Sequence, residues 1–167
     1  DIHFFKKTYA EYQRGFQNGI GNLWKGLNEQ HALTKDANCG LRVELQDWDD
    51  EQYYASYSWY KIGSESTGYK LSITGFNSAS SLGDSMDHNN DDRKFSALDN
   101  DQDVSNNNCV NTMGGGGGWW MGSCTHSSLN GGEYTASGDR GGIGWYHGGK
   151  RGKKWKSWKA SKMVLLC

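Results

Sequence analysis

The sequence predicts an α+β fold, with short helices first and a twisted antiparallel sheet after them. Three observations carry this. Aromatic and aliphatic residues recur at helical spacing through the first 33 positions, and residues alternate between apolar and polar from Leu41 to Ile73. Beyond Phe76 the chain becomes Gly, Asn, Ser and Asp with isolated aromatics.

From Phe4 to Gly15, Phe5, Tyr9 and Tyr12 fall near helical spacing and Gly15 closes the run. Leu23, Trp24, Leu27 and His31 repeat the pattern up to Leu33, so two amphipathic packing helices are expected. Leu41-Arg42-Val43-Glu44-Leu45-Gln46 alternates as a half-buried strand does, and Tyr53–Ile62 and Tyr69–Ile73 do so again. Asp49-Asp50 and Gly63-Ser64 supply turns between them. The run Gly114–Gly118 reads as a flexible insertion in a loop rather than a linker between domains. Trp119, Trp120 and Trp145 read as core. Trp155 and Trp158, interleaved with lysines, read as a strand with one solvated basic face, or as a site for sulfated or carboxylated glycans.

A chain of 167 residues is one domain, long enough to bury a core. Its net charge of −1 creates no global field that would select nucleic acid or a membrane surface. Charge is nonetheless segregated, acidic from Asp84 to Asp103 and basic from Lys150 to Lys162. No apolar run approaches the ~20 residues of a membrane span, and no signal-peptide pattern is read in these residues, which does not bear on the compartment. Disorder is excluded by eight Trp and nine Tyr, although 24 Gly and no Pro imply a loop-rich backbone. Four cysteines allow three pairings, and the residues alone do not choose among them. Their spacing does not suit zinc, so a disulfide framework in an oxidising compartment is expected. No nucleophile elbow, P-loop or dinucleotide fingerprint occurs, which points to binding rather than catalysis.

Asp99-Asn100-Asp101-Gln102-Asp103 sets carboxylates on alternate residues, followed by Asn106, Asn107 and Asn108. Calcium takes six to eight oxygens from carboxylates, carbonyls and water, and a tight loop of this kind can converge several of them. The loop is not an EF-hand, since Val104 and Val110 stand where that motif needs Gly and Glu. Taken alone, the same residues also suit a solvated acidic turn.

The ordered set that includes Leu41–Trp48, Gly83-Asp84-Ser85-Met86, His88-Asn89-Asn90, Phe95-Ser96, Asp99–Asp103 and Asn108-Cys109 continues through Trp119-Trp120, Cys124 and Leu129-Asn130-Gly131. It closes on Gly142-Ile143-Gly144-Trp145 and Met163. In this the chain resembles the fibrinogen C-terminal domain family, whose members include fibrinogen chains, ficolins and tachylectins, and the resemblance covers essentially the whole chain. It implies a central-sheet subdomain of roughly residues 1–76 plus 143–167, and a calcium- and ligand-binding loop subdomain of roughly 77–142. The family's N-terminal subdomain has no counterpart, so either a fragment or a form that dispenses with that part is expected.

The resemblance also implies the site. Asp101 and Asp103 would hold Ca2+ by side chain, and Ser105 and Asn107 by backbone carbonyl, with Asp99 outside the direct ligands. Cys109 would pair with Cys124, and a cis peptide at Ser123-Cys124 would turn the N–H groups of Cys124 and Thr125 toward an acetyl oxygen or carboxylate. Many members place His directly after the second cysteine, whereas this chain has Thr125 and then His126. His126, Asp139, Arg140, Tyr146 and His147 would stand nearby. Cys39 and Cys167 have no family counterparts and are expected to pair with each other, an interchain bond being the alternative. The implied function is a secreted, extracellular, calcium-dependent lectin-like module for glycans or acetylated and anionic groups, with innate defence as an implied setting. The rival reading is a structural subunit of a homo- or hetero-oligomeric extracellular assembly that uses this domain for protein–protein docking.

Overall fold

The computed structural model describes residues 3–132, 142–149 and 152–167. Helix α1 (Tyr9–Arg14) begins later than the aromatic spacing suggests. Thr8 and Glu11 form a reciprocal capping box, in which the Glu11 N–H donates to Thr8 Oγ1 at 3.2 Å and the Thr8 N–H to Glu11 Oε2 at 2.8 Å. The expected second helix is shorter at its start for a different reason. Leu23–Lys25 is a strand, β2, paired antiparallel with β1 (Gly15–Gln17), and α2 spans only Leu27–Thr34. The turn of this hairpin is closed by Asn18 Oδ1, which accepts the N–H groups of Ile20 and Asn22 at 3.1 Å each. Trp24 is buried and its indole N–H donates to the Tyr12 carbonyl at 3.1 Å.

The central sheet has the order β11-β3-β4-β5, with β3 at Gly40–Gln46, β4 at Gln52–Ile62, β5 at Leu71–Phe76 and β11 at Ala160–Leu166. Leu41, Val43 and Leu45 are buried opposite Tyr57, Ala55 and Tyr53 on one side and Leu165, Met163 and Ser161 on the other. This is the alternation read from the sequence, turned into one apolar face. The turn at Asp49-Asp50 is held by Asp47 Oδ1, which accepts from the N–H groups of Asp49 and Glu51 at 2.9 Å each. β5 starts two residues beyond Tyr69, because Tyr69 still sits in the left-handed region at φ 51° as the last residue of a turn.

The remaining elements are short: α3 (Asp87–Asn90), β6 (Phe95–Ser96), α4 (Cys109–Thr112), β7 (Trp119–Trp120), β8 (Ser127–Ser128), β9 (Ile143–His147) and β10 (Lys153–Trp158). β6 pairs with β7, and β8-β9-β10 form a three-stranded sheet. Among the described residues of 143–167, only β11 joins the central sheet. One aromatic core crosses both halves: Trp119, Trp120, Trp145 and Phe95 are fully buried, and Trp120 packs edge-on to Phe95 and Tyr60.

The glycine run corrects the expectation of a flexible insertion. Gly116, Gly117 and Gly118 are buried. A Cβ on Gly117 would stand 1.6 Å from the Asn130 carbonyl oxygen, and one on Gly118 would meet the Phe95 and Tyr12 rings at 2.7 and 2.8 Å. The Gly118 N–H donates to the Tyr12 hydroxyl at 2.9 Å. Glycine is there for close approach of backbone to core, a use that composition cannot reveal.

Candidate functional site

The acidic loop is organised by its own side chains. Asp101 Oδ1 accepts the Asp103 N–H at 3.2 Å, Asp103 Oδ1 that of Ser105 at 2.8 Å, and Ser105 Oγ that of Asn107 at 3.2 Å. Asp103 Oδ2 then accepts the Cys109 N–H at 2.8 Å, linking the loop to the first residue of α4. Asp99 is spent elsewhere, its Oδ1 accepting the Tyr9 N–H at 2.8 Å at the start of α1. Gln102 points inward and donates to the Phe95 carbonyl at 2.7 Å, between the exposed Asp101 and the partly buried Asp103. Burial raises the Asp103 pKa above its ordinary value; two backbone N–H bonds oppose this, and the Asp101 carboxylate adds to it.

Cys109 and Cys124 form a disulfide, with a cis peptide at Ser123-Cys124. The acidic loop lies beside this segment: the Val104 N–H donates to the Gly122 carbonyl at 3.4 Å, and the Gly122 N–H to the Cys124 carbonyl at 2.6 Å. Among the described residues no three His, Cys, Asp or Glu side chains converge as a ready-made metal shell. The oxygen donors available to a hard cation are the Asp101 and Asp103 carboxylates and the loop's backbone carbonyls, a set that suits calcium in kind.

Residues after the disulfide alternate in direction. Thr125 is buried, its Oγ1 accepting from Asn90 Nδ2 at 2.7 Å and donating to the Ser127 carbonyl at 2.5 Å. Its side chain is therefore a framework element. His126 is partly exposed and stacks on Tyr146, with ring centres 4.9 Å apart and 20° between planes. His147 meets it edge-on at 5.1 Å, and His88 lies parallel at 6.3 Å. Trp155 extends the wall from Tyr146 at 6.4 Å. The His147 N–H donates to Ser85 Oγ at 2.9 Å, and that hydroxyl also lies 3.1 Å from His147 Nδ1. Burial lowers the His126 pKa below its ordinary value, with His147 and His88 adding to the effect and Asp84 opposing it.

Asp101, Asp103, Ser105 and Asn107 thus lie on the loop that meets Gly122 and the Cys109–Cys124 disulfide, while His126, Tyr146 and His147 form a separate cluster that begins two residues beyond Cys124. Asp139 and Arg140 lie outside the described residues. His88 and Ser85 were not singled out from the sequence as site residues, although both stand in the segments that carried the resemblance. Cys39 and Cys167 form a second disulfide.

A helix-flanked antiparallel sheet beside a disulfide-pinned loop region defines a fibrinogen-like globe. Residues 2–166 match the family model for the C-terminal globular domain of fibrinogen beta and gamma chains, and the chain belongs to that family. Human angiopoietin-4 is 35% identical over 146 residues, which cover 86% of this chain but only 28% of that relative. The fibrinogen-like globe domain of human ANGPTL6 superposes with a TM-score of 0.85 at 30% identity, covering 97% of this chain and 71% of that one. Lamprey fibrin D-dimer, complexed with the peptide ligand Gly-His-Arg-Pro-amide, superposes at 0.84 with 26% identity, covering 97% of this chain and 56% of that one. The chain thus spans about a quarter of the angiopoietin's length.

Proposed function

We propose that this domain is a non-catalytic docking module of an extracellular protein, and that it takes a protein or peptide partner. The face used is the one where the 101–107 loop meets Ser123–His126 and the Tyr146-His147 wall. One observation carries the reading: the hydrogen-bonded apposition of the acidic loop and the disulfide segment at Gly122, in a fold whose lamprey relative holds a peptide. That peptide supports protein docking ahead of the glycan or acetyl-group recognition expected from the sequence. Two disulfides support an oxidising, extracellular setting.

Within the same reading, Asp101 and Asp103 would hold calcium with help from the Ser105 and Asn107 carbonyls. A bound ion would supply positive charge that relieves the repulsion between the two carboxylates and stiffens the loop. The chain's own part is to aim those oxygens: Asp103 does so while fixing the N–H groups of Ser105 and Cys109. The test is to probe a peptide array and a glycan array with the disulfide-intact domain, with calcium and with a chelator. Calcium-dependent peptide binding, weakened in His126→Ala, is expected. Binding to glycans with none to peptides would overturn the docking reading in favour of a lectin.

A further inference from the structure

We propose that the Cys39–Cys167 bond is a reducible clasp on the edge of the central sheet, opened by a dithiol before the Cys109–Cys124 bond, and that its opening releases β11 from β3. This goes beyond the docking reading and shares no residue with the docking face.

Topology supplies the first part of the argument. Leu166 pairs with Gly40 at the end of the β11–β3 ladder, so Cys167 and Cys39 face each other at the next position. β11 is the edge strand, with β3 as its strand neighbour. Its inner side chains are only half buried, and Leu166 is 49% exposed. The Ser161 hydroxyl reaches the Leu129 carbonyl at 3.5 Å, the upper end of hydrogen-bond range. Edge strands with little buried area lie at the low-stability end of a fold. Here a covalent staple closes the end of the β11–β3 ladder.

Access supplies the second part. Cys167 is exposed, while its partner Cys39 is fully buried. Cys109 is also fully buried, and Cys124 is partly buried against the core. A thiolate of the dithiol therefore reaches Cys167 Sγ first, forming a mixed disulfide while Cys39 Sγ leaves and takes up a proton. The second thiol then attacks the dithiol's own sulfur in that mixed disulfide. Cys167 leaves as a thiol and the dithiol becomes its cyclic disulfide, so two electrons pass to the protein and both cysteines end reduced.

The consequence is structural. Ser161, Met163 and Leu165 of β11 form one wall of a groove of about 450 Å³ whose other walls include Trp24, Leu41 and Tyr60. Freeing β11 removes that wall and uncovers the hydrogen-bonding edge of β3.

The experiment treats the native domain with graded dithiothreitol, alkylates the free thiols, maps them by peptide and follows amide exchange. Cys39 and Cys167 should be labelled at about tenfold less reductant than Cys109 and Cys124, with exchange in residues 160–166 rising at least about tenfold. Simultaneous or reversed labelling overturns the order of opening. Unchanged protection of 160–166 after selective labelling overturns the clasp. The Cys39→Ser/Cys167→Ser double variant should show the raised exchange without reductant, and wild-type-like protection in that variant would equally refute the proposal.

Discussion

Replacing Asp101 with Ala separates metal binding from loop folding. In the acidic loop the two carboxylates do unequal structural work. Asp103 holds two backbone N–H groups at 2.8 Å each, whereas the exposed Asp101 holds one at 3.2 Å. Losing one weak, solvated hydrogen bond costs about 0.5–1 kcal/mol, which lowers the melting temperature by about 1–4 °C in a domain of this size. A ligand that binds only the folded state stabilises it by about 2.7 kcal/mol at a hundred times its dissociation constant, or about 5–10 °C here. If Asp101 is a calcium ligand, Asp101→Ala melts within a few degrees of wild type in chelator and loses the calcium-dependent rise. Asp103→Ala does not separate the two effects, because it frees two N–H groups and lowers the calcium-free melting temperature as well. Scanning fluorimetry in chelator and in excess calcium reads both numbers. A full calcium shift retained by Asp101→Ala would refute the assignment and move the ion off this loop.

Two further outcomes follow from packing and titration. Gly117→Ala places a Cβ 1.6 Å from the Asn130 carbonyl, backbone against backbone, and should cost about 3 kcal/mol or more in urea unfolding; an unchanged midpoint would contradict the close packing of the glycine run. His126 has its folded pKa depressed below 6.5 by burial, His147 and His88, so the unfolded chain binds the proton more readily. The stability contributed by its neutral ring is fully present above pH 6.5 and is lost as pH falls through the folded pKa. Melts across this range should fall more steeply for wild type than for His126→Gln, and parallel curves would count against the assignment.

How much of this was readable in the residues depends on the reach of the interactions involved. β3 and most of β4 were legible because one face of their sheet is buried, which forces Leu41, Val43 and Leu45 into strict alternation. The β1–β2 hairpin was not, since strands of three residues are too short to show a period. The start of α1 was legible in principle from Thr8 and Glu11, a local signal outweighed by the aromatic spacing. The spacing of the acidic loop was visible in the sequence, but the use of Asp101, Asp103 and Ser105 to accept the N–H two residues ahead was not. The imidazole cluster was only half legible. His126 and His147 were picked out beside the disulfide motif, whereas His88, although itself in a motif, is brought to them only by the fold.

The same framework explains how an irregular region can present a defined face. Its strands are too short to order it, and the order comes from a buried polar hub instead. Asn90 Nδ2 donates to the Trp120 carbonyl and to Thr125 Oγ1, both at 2.7 Å, while its Oδ1 accepts from the Ser127 hydroxyl at 3.1 Å. One side chain thus ties the aromatic core to the residues on either side of His126. With Thr125 and Ser127 drawn inward, extended backbone turns the intervening His126 outward, where it meets Tyr146 and His147. Placing the histidine one residue after Thr125 therefore sets the imidazole on the outward wall, and a histidine at position 125 would displace the threonine from this hub.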